Sequence, residues 1–109
     1  LYTDFGFSLW GERDGQRTLI TFTRAYSGRT QDEIEQLDRW IRRHTTRRMG
    51  PVREVAPELV FEIAFEAVAR SARLAAGMAV RFPRILRQRT DKTPSVADTL
   101  DTLVAMLRE

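Results

Sequence analysis

The sequence has 109 residues, enough for one small domain with a single hydrophobic core and too few for two. Hydrophobic residues make up 42% of it and charged residues 30%, as in folded proteins. It has no cysteine, which excludes disulfides, and its single histidine, His44, leaves a zinc site almost without ligands. The net charge is only +3, no apolar run approaches the ~18 residues of a membrane span and no signal peptide is visible, so we expect a cytoplasmic protein without a membrane partner.

The first two predicted elements form a hairpin. Residues 1–10 alternate between two faces, as in a strand that is buried on one side. Gly11 and the Asp14–Gly15 pair then indicate a turn, and residues 17–25 are rich in the β-branched and aromatic residues that favour a second strand. We therefore predict two antiparallel strands joined by a tight turn.

An amphipathic helix is predicted over residues 31–45. Thr30 and Glu33 have the spacing of a capping box, in which two side chains bind free backbone N–H groups at the start of a helix. The apolar residues that recur at helical spacing are Ile34, Leu37, Trp40 and Ile41. Gly50–Pro51 prevents much continuation, and His44 is interpreted as a partner of the helix dipole at its C-terminus rather than as a catalytic base.

The stretch from residue 58 to residue 76 fits two structures. Its glutamates recur every four residues, as on one face of a helix, whereas the alternation of apolar and polar residues favours a strand. Gly77 indicates a turn, and residues 78–82 form a second short apolar run that ends at Pro83. This pattern hints at a hairpin, but the residues by themselves leave helix and strand both open.

A closing helix is predicted over residues 96–108. Ser95 and Asp98 have the spacing of a helix cap, and an apolar stripe follows at helical spacing. The elements then run β, β, α, β, β, α, which is consistent with a partly open barrel that carries helices. The large aromatic side chains assigned to its core are Trp40, Phe61, Phe65 and Phe82.

Most of the positive charge lies in one segment. Residues 70–92 contain seven basic residues and one acid, Asp91, while the flanking parts of the chain are slightly acidic. All but one of the 18 basic residues are arginine, whose guanidinium group binds phosphate through two parallel hydrogen bonds. The segment indicates a polyanionic partner such as nucleic acid or nucleotide phosphate, and the alternative is a solvated basic face.

The basic segment contains a recognisable motif. Residues 81–92 read RFPRILRQRTDK and resemble the last nucleotidyltransferase motif of ATP-dependent DNA ligases, an Arg-x-Asp-Lys core after an Arg-Phe-Pro-Arg lead. Three upstream segments are similar to the same family in the same order: Tyr26–Ser27–Gly28, Gly50–Pro51–Val52 and the PELVFEIAFE run at residues 57–66. Over nearly its whole length the chain resembles the C-terminal OB-fold domain of ligases of the bacterial type.

The resemblance implies a mainly β fold with helices, namely a partly open OB-fold Greek-key barrel with one inserted helix and a C-terminal helix. It implies that residues 58–69 form one long strand. It also implies a role in sealing nicks in duplex DNA by nucleotidyl transfer, during repair, replication or recombination. The alternatives are a stand-alone OB-fold module that binds nucleic acid and the OB domain of an mRNA-capping guanylyltransferase.

The resemblance also implies roles for individual residues. Arg89 and Lys92 match the family's residues that orient the phosphates of ATP while pyrophosphate departs, and Arg87 is expected beside them. Asp91 is expected to hold one of these cations by ion pairing, the alternative being a role in the turn. The contacts with DNA backbone phosphates are expected from Arg70, Arg73, Arg81 and Arg84.

What the sequence lacks indicates a fragment. Family members carry a nucleophilic lysine in a Lys-x-Asp-Gly motif on a separate adenylation domain, whereas Lys92 is the only lysine here. We therefore expect residues 1–109 to be a single OB-fold domain of a larger ligase, without the adenylation domain and the first barrel strand, and inactive alone. The expected partners are nicked duplex DNA and the adenylation domain, which would bind most of the ATP and Mg²⁺.

Overall fold

The computed structural model describes residues 4–26 and 30–107. Its elements in chain order are β1 (Asp4–Arg13), β2 (Gln16–Tyr26), α1 (Gln31–Arg43), β3 (Thr45–Met49), β4 (Val52–Val55), β5 (Phe61–Ala64), β6 (Ala67–Arg70), β7 (Met78–Arg81), β8 (Arg84–Gln88), a 3-10 turn (Pro94–Val96) and α2 (Leu100–Val104). The strands form four antiparallel ladders, β1–β2, β3–β4, β5–β8 and β6–β7. Over the described ranges they do not close into a barrel, and the fold is mainly β and partly open, like an OB fold. No helix in this part of the chain is long and apolar enough to cross a membrane.

The first predicted hairpin is confirmed, and β1 and β2 pair along their whole lengths. Asp14 and Gly15 both have positive φ, 53° and 78°, a two-residue turn whose twist matches that of the flanking strands. Gly11 lies within β1 rather than in the turn. A Cβ atom there would stand 2.7 Å from Cδ1 of Ile20 and 2.9 Å from Cδ1 of Leu100. The missing side chain therefore lets α2 approach the hairpin.

The predicted helix is confirmed as α1. The Thr30 hydroxyl accepts a hydrogen bond from the Glu33 backbone N–H at 3.3 Å and donates one to the Glu33 carboxylate at 3.0 Å. The helix ends two residues before the predicted boundary, and His44 caps it with its backbone N–H bonded to the Trp40 carbonyl at 3.0 Å. The His44 ring also stacks on Trp40 at a centroid distance of 4.2 Å. His44 therefore has a structural position at the end of the helix.

The hairpin β3–β4 has no counterpart in the sequence prediction, which treats Gly50–Pro51 only as the end of the helical stretch. These two residues form the turn of the hairpin, with Gly50 at a φ of 62°. Four of the five β3 residues are exposed. Because no face of β3 is apolar, the alternation that reveals a half-buried strand is absent.

The predicted long strand over residues 58–69 is wrong, because the chain breaks between β5 and β6 at Phe65–Glu66. β5 pairs with β8, which the sequence pattern does not reveal, and β6 pairs with β7. The partner strands break at the same level. Pro83 has no N–H group to donate to a ladder, and Phe82 has a φ of 52°, rare for a bulky residue. Residues 81–84, Arg-Phe-Pro-Arg, are called the RFPR corner below.

The predicted helix over residues 96–108 is wrong in its extent, because α2 has only five residues and an extended piece precedes it. That piece lies along β1. The backbone N–H of Trp10 donates to the Asp98 carbonyl at 3.1 Å, and Trp10 forms a β-bridge with Thr99. This pairing uses residues that the Ser95 and Asp98 pattern assigns to the first helical turn.

The core lies where the β1–β2 hairpin meets the β6–β7 hairpin and α2. Its buried residues are Ile20, Phe22, Ala76, Met78 and Leu103. Leu103 is the most enclosed, with 2% of its surface exposed. Of the aromatic residues assigned to the core, Trp40, Phe61 and Phe65 are half-buried. Phe82 is 59% exposed, so its assignment to the core is wrong.

Truncation of Leu103 tests this packing. We expect Leu103→Ala to lower the free energy of unfolding by about 2–5 kcal/mol, because it removes buried methyl groups and leaves a cavity. The neighbouring exposed residue Val104 supplies the control, and Val104→Ala should change stability by less than about 0.5 kcal/mol. Urea unfolding followed by circular dichroism measures both changes, and equal changes would show that α2 does not anchor the core.

Candidate functional site

The candidate site begins where β8 ends. Here the Arg89 N–H donates to the Val60 carbonyl at 2.7 Å, which extends the contact between the two chain segments by one residue beyond the ladder. The chain then turns, and the Lys92 N–H lies 3.4 Å from the Arg89 carbonyl. This turn brings Arg89, Asp91 and Lys92 together at one end of the β5–β8 ladder.

Arg89 and Asp91 form a two-pronged ion pair. Nε of Arg89 donates to Oδ1 of Asp91 at 2.9 Å, and Nη2 donates to Oδ2 at 2.8 Å. The hydrogen bond from Arg89 lowers the pKa of Asp91 to about 2, and the same bond raises the pKa of Arg89. The fork fixes the plane of the guanidinium group, so Arg89 has a defined orientation before any ligand arrives.

Glu62 joins this network from β5, although the sequence analysis assigns it no role. Its carboxylate accepts a hydrogen bond from Nε of Arg87 at 3.0 Å and lies 3.9 Å from Nη1 of Arg89. Glu62 and Arg87 are directly opposite each other in the β5–β8 ladder. One carboxylate thus holds two of the predicted phosphate-binding arginines, a link that only the strand pairing reveals.

Lys92 follows the fork and is exposed. Among the residues that the structure describes, it has no salt-bridge partner. Arg89 and Lys92 both line an open groove of about 990 Å³, whose other walls include Phe5, Trp40 and Phe61. The two cations therefore lie on the wall of an open and mostly apolar groove.

The four arginines predicted to bind DNA do not form one cluster. In the β6–β7 ladder, Arg70 pairs with Met78 next to the turn, and Arg81 pairs with Ala67 at the opposite end. The two ends are three residues apart along the strand, or about 10 Å. Arg73 lies in the turn beside the first of these, and Arg84 lies across the RFPR corner from the second. The structure therefore separates them into two pairs.

The RFPR corner presents an exposed aromatic ring between two of these arginines. The guanidinium carbon of Arg81 lies 5.0 Å from the centroid of the Phe82 ring, within the range of a cation–π contact. The positive φ of Phe82 is a strained conformation for a phenylalanine, and such strain concentrates at functional sites. Sequence reasoning assigns Phe82 to the core because the hydrophobic run of β7 continues into it.

A clamp holds the segment that follows the site. The Trp10 indole Nε1–H donates to the Pro94 carbonyl at 2.7 Å, and Nη2 of Arg17 donates to the Ser95 carbonyl at 2.8 Å. The Arg17 guanidinium carbon also lies 4.1 Å from the centroid of the Trp10 ring. These contacts fix the chain two residues after Lys92, and no local sequence signal indicates them.

The described ranges contain no group of three or more His, Cys, Asp or Glu side chains arranged to hold a metal ion. Glu62 and Asp91 are engaged with arginines. These residues do not fit a Mg²⁺ site. Ser27 and Gly28, part of one of the motif segments, lie outside the described residues.

Comparisons with known proteins agree on one family. The sequence model of a family described as the C-terminal region of ATP-dependent DNA ligases matches residues 3–92. A probable DNA ligase of Koribacter versatilis is 46% identical over 101 residues, which cover 93% of this chain and 17% of that protein. A probable DNA ligase of Opitutus terrae is 44% identical over 100 residues, 92% of this chain and 10% of that protein. A DNA ligase of Halorubrum lacusprofundi is 33% identical over 102 residues, 94% of this chain and 17% of that protein. The chain thus spans between 10% and 17% of the length of these relatives.

Titration of Asp91 tests the fork. In a carboxyl NMR titration we expect Asp91 to titrate at about 2. In Arg89→Gln its pKa should rise towards the ~3.9 of an unperturbed aspartate. Because the folded pKa is lowered, the pair stabilises the fold above pH ~3.9, and this stability is lost as the pH falls towards 2. Arg87→Gln is the control and should raise the pKa of Asp91 less. A larger rise in Arg87→Gln than in Arg89→Gln would contradict the assignment.

Proposed function

Because this chain belongs to the family of ATP-dependent DNA ligase C-terminal regions, we propose that it acts as the OB-fold domain of a larger ligase that seals nicks in duplex DNA. The observation that carries the proposal is the orientation of Arg89 by Asp91, with Lys92 beside them, within the matched motif. The named relatives favour a ligase over a stand-alone nucleic-acid-binding module or a capping guanylyltransferase. In the proposed reaction a lysine of the adenylation domain attacks the α-phosphate of ATP, a phosphoramidate bond forms, and pyrophosphate leaves.

The first proposed role is stabilisation of the departing pyrophosphate. Negative charge grows on its oxygens as the bond to the α-phosphate breaks, and cations that are already in position lower this barrier. Asp91 uses two of the five N–H donors of Arg89. The three others, one on Nη2 and two on Nη1, which lies 3.9 Å from Glu62, make no hydrogen bond to the described residues and can bind phosphate oxygens. Lys92 adds a second, mobile cation. Asp91 is then a positioning residue, and Arg87, held by Glu62, contributes to the local positive potential.

Mg²⁺ and the adenine base belong, in this proposal, to the adenylation domain. The carboxylates near Arg89 neutralise arginines and are not arranged as ligands of a hard cation. The contribution of this domain is therefore cationic. It supplies guanidinium and ammonium groups that bind and orient phosphate oxygens, and no step of its own action passes through the metal.

The second proposed role is contact with nicked DNA through the RFPR corner. Arg81 and Arg84 flank an exposed ring, and this combination suits a phosphodiester backbone, since guanidinium groups bind phosphates while an aromatic ring packs against sugar or base. Backbone contacts carry no base information, so this binding is independent of sequence. Arg70 and Arg73, at the other end of the β6–β7 hairpin, extend the positive surface about 10 Å away.

Substitution of the two phosphate-binding residues separates the steps of the reaction. In the ligase that carries this domain, Arg89→Ala or Lys92→Ala should slow self-adenylylation about 10²- to 10³-fold, the usual cost of losing one donor to a developing anion. Sealing of a nick that is already adenylylated should change far less, because pyrophosphate leaves only in the first step. Single-turnover assays with α-labelled ATP and with pre-adenylylated nicked duplex measure the two rates.

The control for this experiment is Arg13→Ala, a change at the far end of β1 that removes an exposed charge. It should leave both rates unchanged. Equal losses in both steps for Arg89→Ala and Lys92→Ala would instead assign these residues to DNA binding or to folding.

Charge removal at the RFPR corner tests the DNA contact. We expect the double variant Arg81→Gln/Arg84→Gln to weaken binding of labelled nicked duplex and to reduce the slope of log K against log salt by about 1.8, or about 0.9 for each phosphate contact. Arg13→Gln/Arg24→Gln removes the same charge from the first hairpin and should leave the slope unchanged. Arg17 is unsuitable as a control because it holds the Ser95 carbonyl. Equal slopes in the two double variants would contradict the assignment.

A further inference from the structure

A second basic surface lies outside residues 70–92. Residues 39–53 contain six arginines and no aspartate or glutamate. Their density of positive charge is higher than that of residues 70–92. In the structure they occupy the end of α1 and the β3–β4 hairpin. The arginines are Arg39, Arg42, Arg43, Arg47, Arg48 and Arg53. The acidic residues elsewhere in residues 1–69 cancel the charge of these arginines in the sum. The basic surface is therefore seen only when charge is counted locally.

Most of these charges are not neutralised by the protein. Arg42 is engaged with Asp38, at 2.9 Å from Nε to Oδ2. Within the described residues, Arg43, Arg47 and Arg48 form no salt bridge, and all three are exposed. Two further carboxylates approach this surface: Glu54, directly opposite Arg47 in the β3–β4 ladder, and Glu58, 3.6 Å from the His44 ring. Together with Asp38 they are three acids against six arginines, so the surface keeps a net positive charge.

The strand register brings two like charges together. Arg48 and Arg53 are directly opposite each other in the β3–β4 ladder, so their side chains leave the same face of the hairpin. Cβ atoms of such a pair are about 4.5–5.5 Å apart, so one face of the hairpin presents two neighbouring guanidinium groups.

The hairpin is also free to meet a partner. Over the described ranges β3 and β4 pair only with each other, so the hairpin is not part of a larger sheet. Met49 and Val52, beside its turn, are 42% and 39% exposed. A two-stranded ribbon of this kind has the width that the major groove of DNA accepts, with its arginines near the phosphates of the groove walls.

We propose that Arg43, Arg47, Arg48 and Arg53 form a second contact with backbone phosphates of duplex DNA, separate from the RFPR corner. The choice of DNA as the polyanion rests on the proposed function. Guanidinium groups bind phosphate through paired hydrogen bonds, and the width of the two-stranded hairpin suits the groove of a duplex. An acidic protein segment is the other partner that such a surface fits, and the experiment distinguishes the two.

The test compares three double variants of the 109-residue chain that remove the same charge. They are Arg47→Gln/Arg48→Gln in the hairpin, Arg81→Gln/Arg84→Gln at the RFPR corner and the control Arg13→Gln/Arg24→Gln. Anisotropy of a labelled nicked duplex, titrated at several salt concentrations, gives the slope of log K against log salt. The hairpin variant should reduce this slope by about 1.8 and the control by none. Arg47→Lys/Arg48→Lys, which keeps the charge, should retain most of the slope.

The other outcomes separate the hypotheses. A hairpin variant with the slope of the control, together with a reduced slope at the RFPR corner, would overturn the hairpin contact and leave the proposed function intact. No salt-dependent binding by the unchanged chain would contradict both. If the hairpin variant loses binding to poly-glutamate but keeps the unchanged chain's slope of log K against log salt for DNA, the surface would be assigned to an acidic protein. Circular dichroism establishes folding of each variant, and Arg43→Gln, at the end of α1, repeats the test outside the hairpin should the double variant unfold.

Discussion

The arrangement of the domain depends on the break at Phe82–Pro83. A proline within a ladder has no N–H group to donate, and Phe82 before it has a positive φ, so the strand cannot continue through this point. The segment opposite breaks at Phe65–Glu66, and one long ladder becomes two short ones, β5–β8 and β6–β7. The first ladder carries the Arg89 site at its end, and the second contributes to the core through Met78. The corner between them exposes an aromatic ring among arginines.

The site at the end of β8 combines two kinds of constraint. The Arg89–Asp91 fork is local, because the two residues are separated by only one other. The clamp formed by Trp10 and Arg17 is distant in sequence and holds the backbone after Lys92 from the first hairpin. The fork orients the Arg89 guanidinium group, and the clamp positions the backbone after Lys92. Lys92, exposed and without a salt bridge to any described residue, thus lies between two fixed points.

The sequence predicts those features whose determinants lie within a few residues of one another. The Asp14–Gly15 turn and the helix cap at Thr30 are of this kind, and the structure confirms both. The prediction of one long strand over residues 58–69 fails, because the break in it follows from Phe82–Pro83, which lie between the two partner strands. The C-terminal helix is shortened because Trp10 pairs with the residues before it.

The same distinction applies to the site. The motif identifies Arg89, Asp91 and Lys92, since they are neighbours in sequence. Glu62 could not be assigned without the pairing of β5 with β8. Adjacency along the chain is misleading for the basic residues, because Arg70 and Arg81 lie at opposite ends of one hairpin. The β3–β4 hairpin lacks an apolar face and therefore has no periodic signal at all.

The hydrogen bond from Trp10 to the Pro94 carbonyl joins residues 84 positions apart. Closing so long a loop costs more entropy than forming any of the hairpins, so the contact is favoured once the first hairpin has packed on the rest of the domain. The same hairpin supplies Arg17 to the Ser95 carbonyl. The position of the segment after Lys92 therefore depends on residues near the other end of the chain, and a change at Trp10 or Arg17 is transmitted to the end of the candidate site through the backbone of residues 93–95.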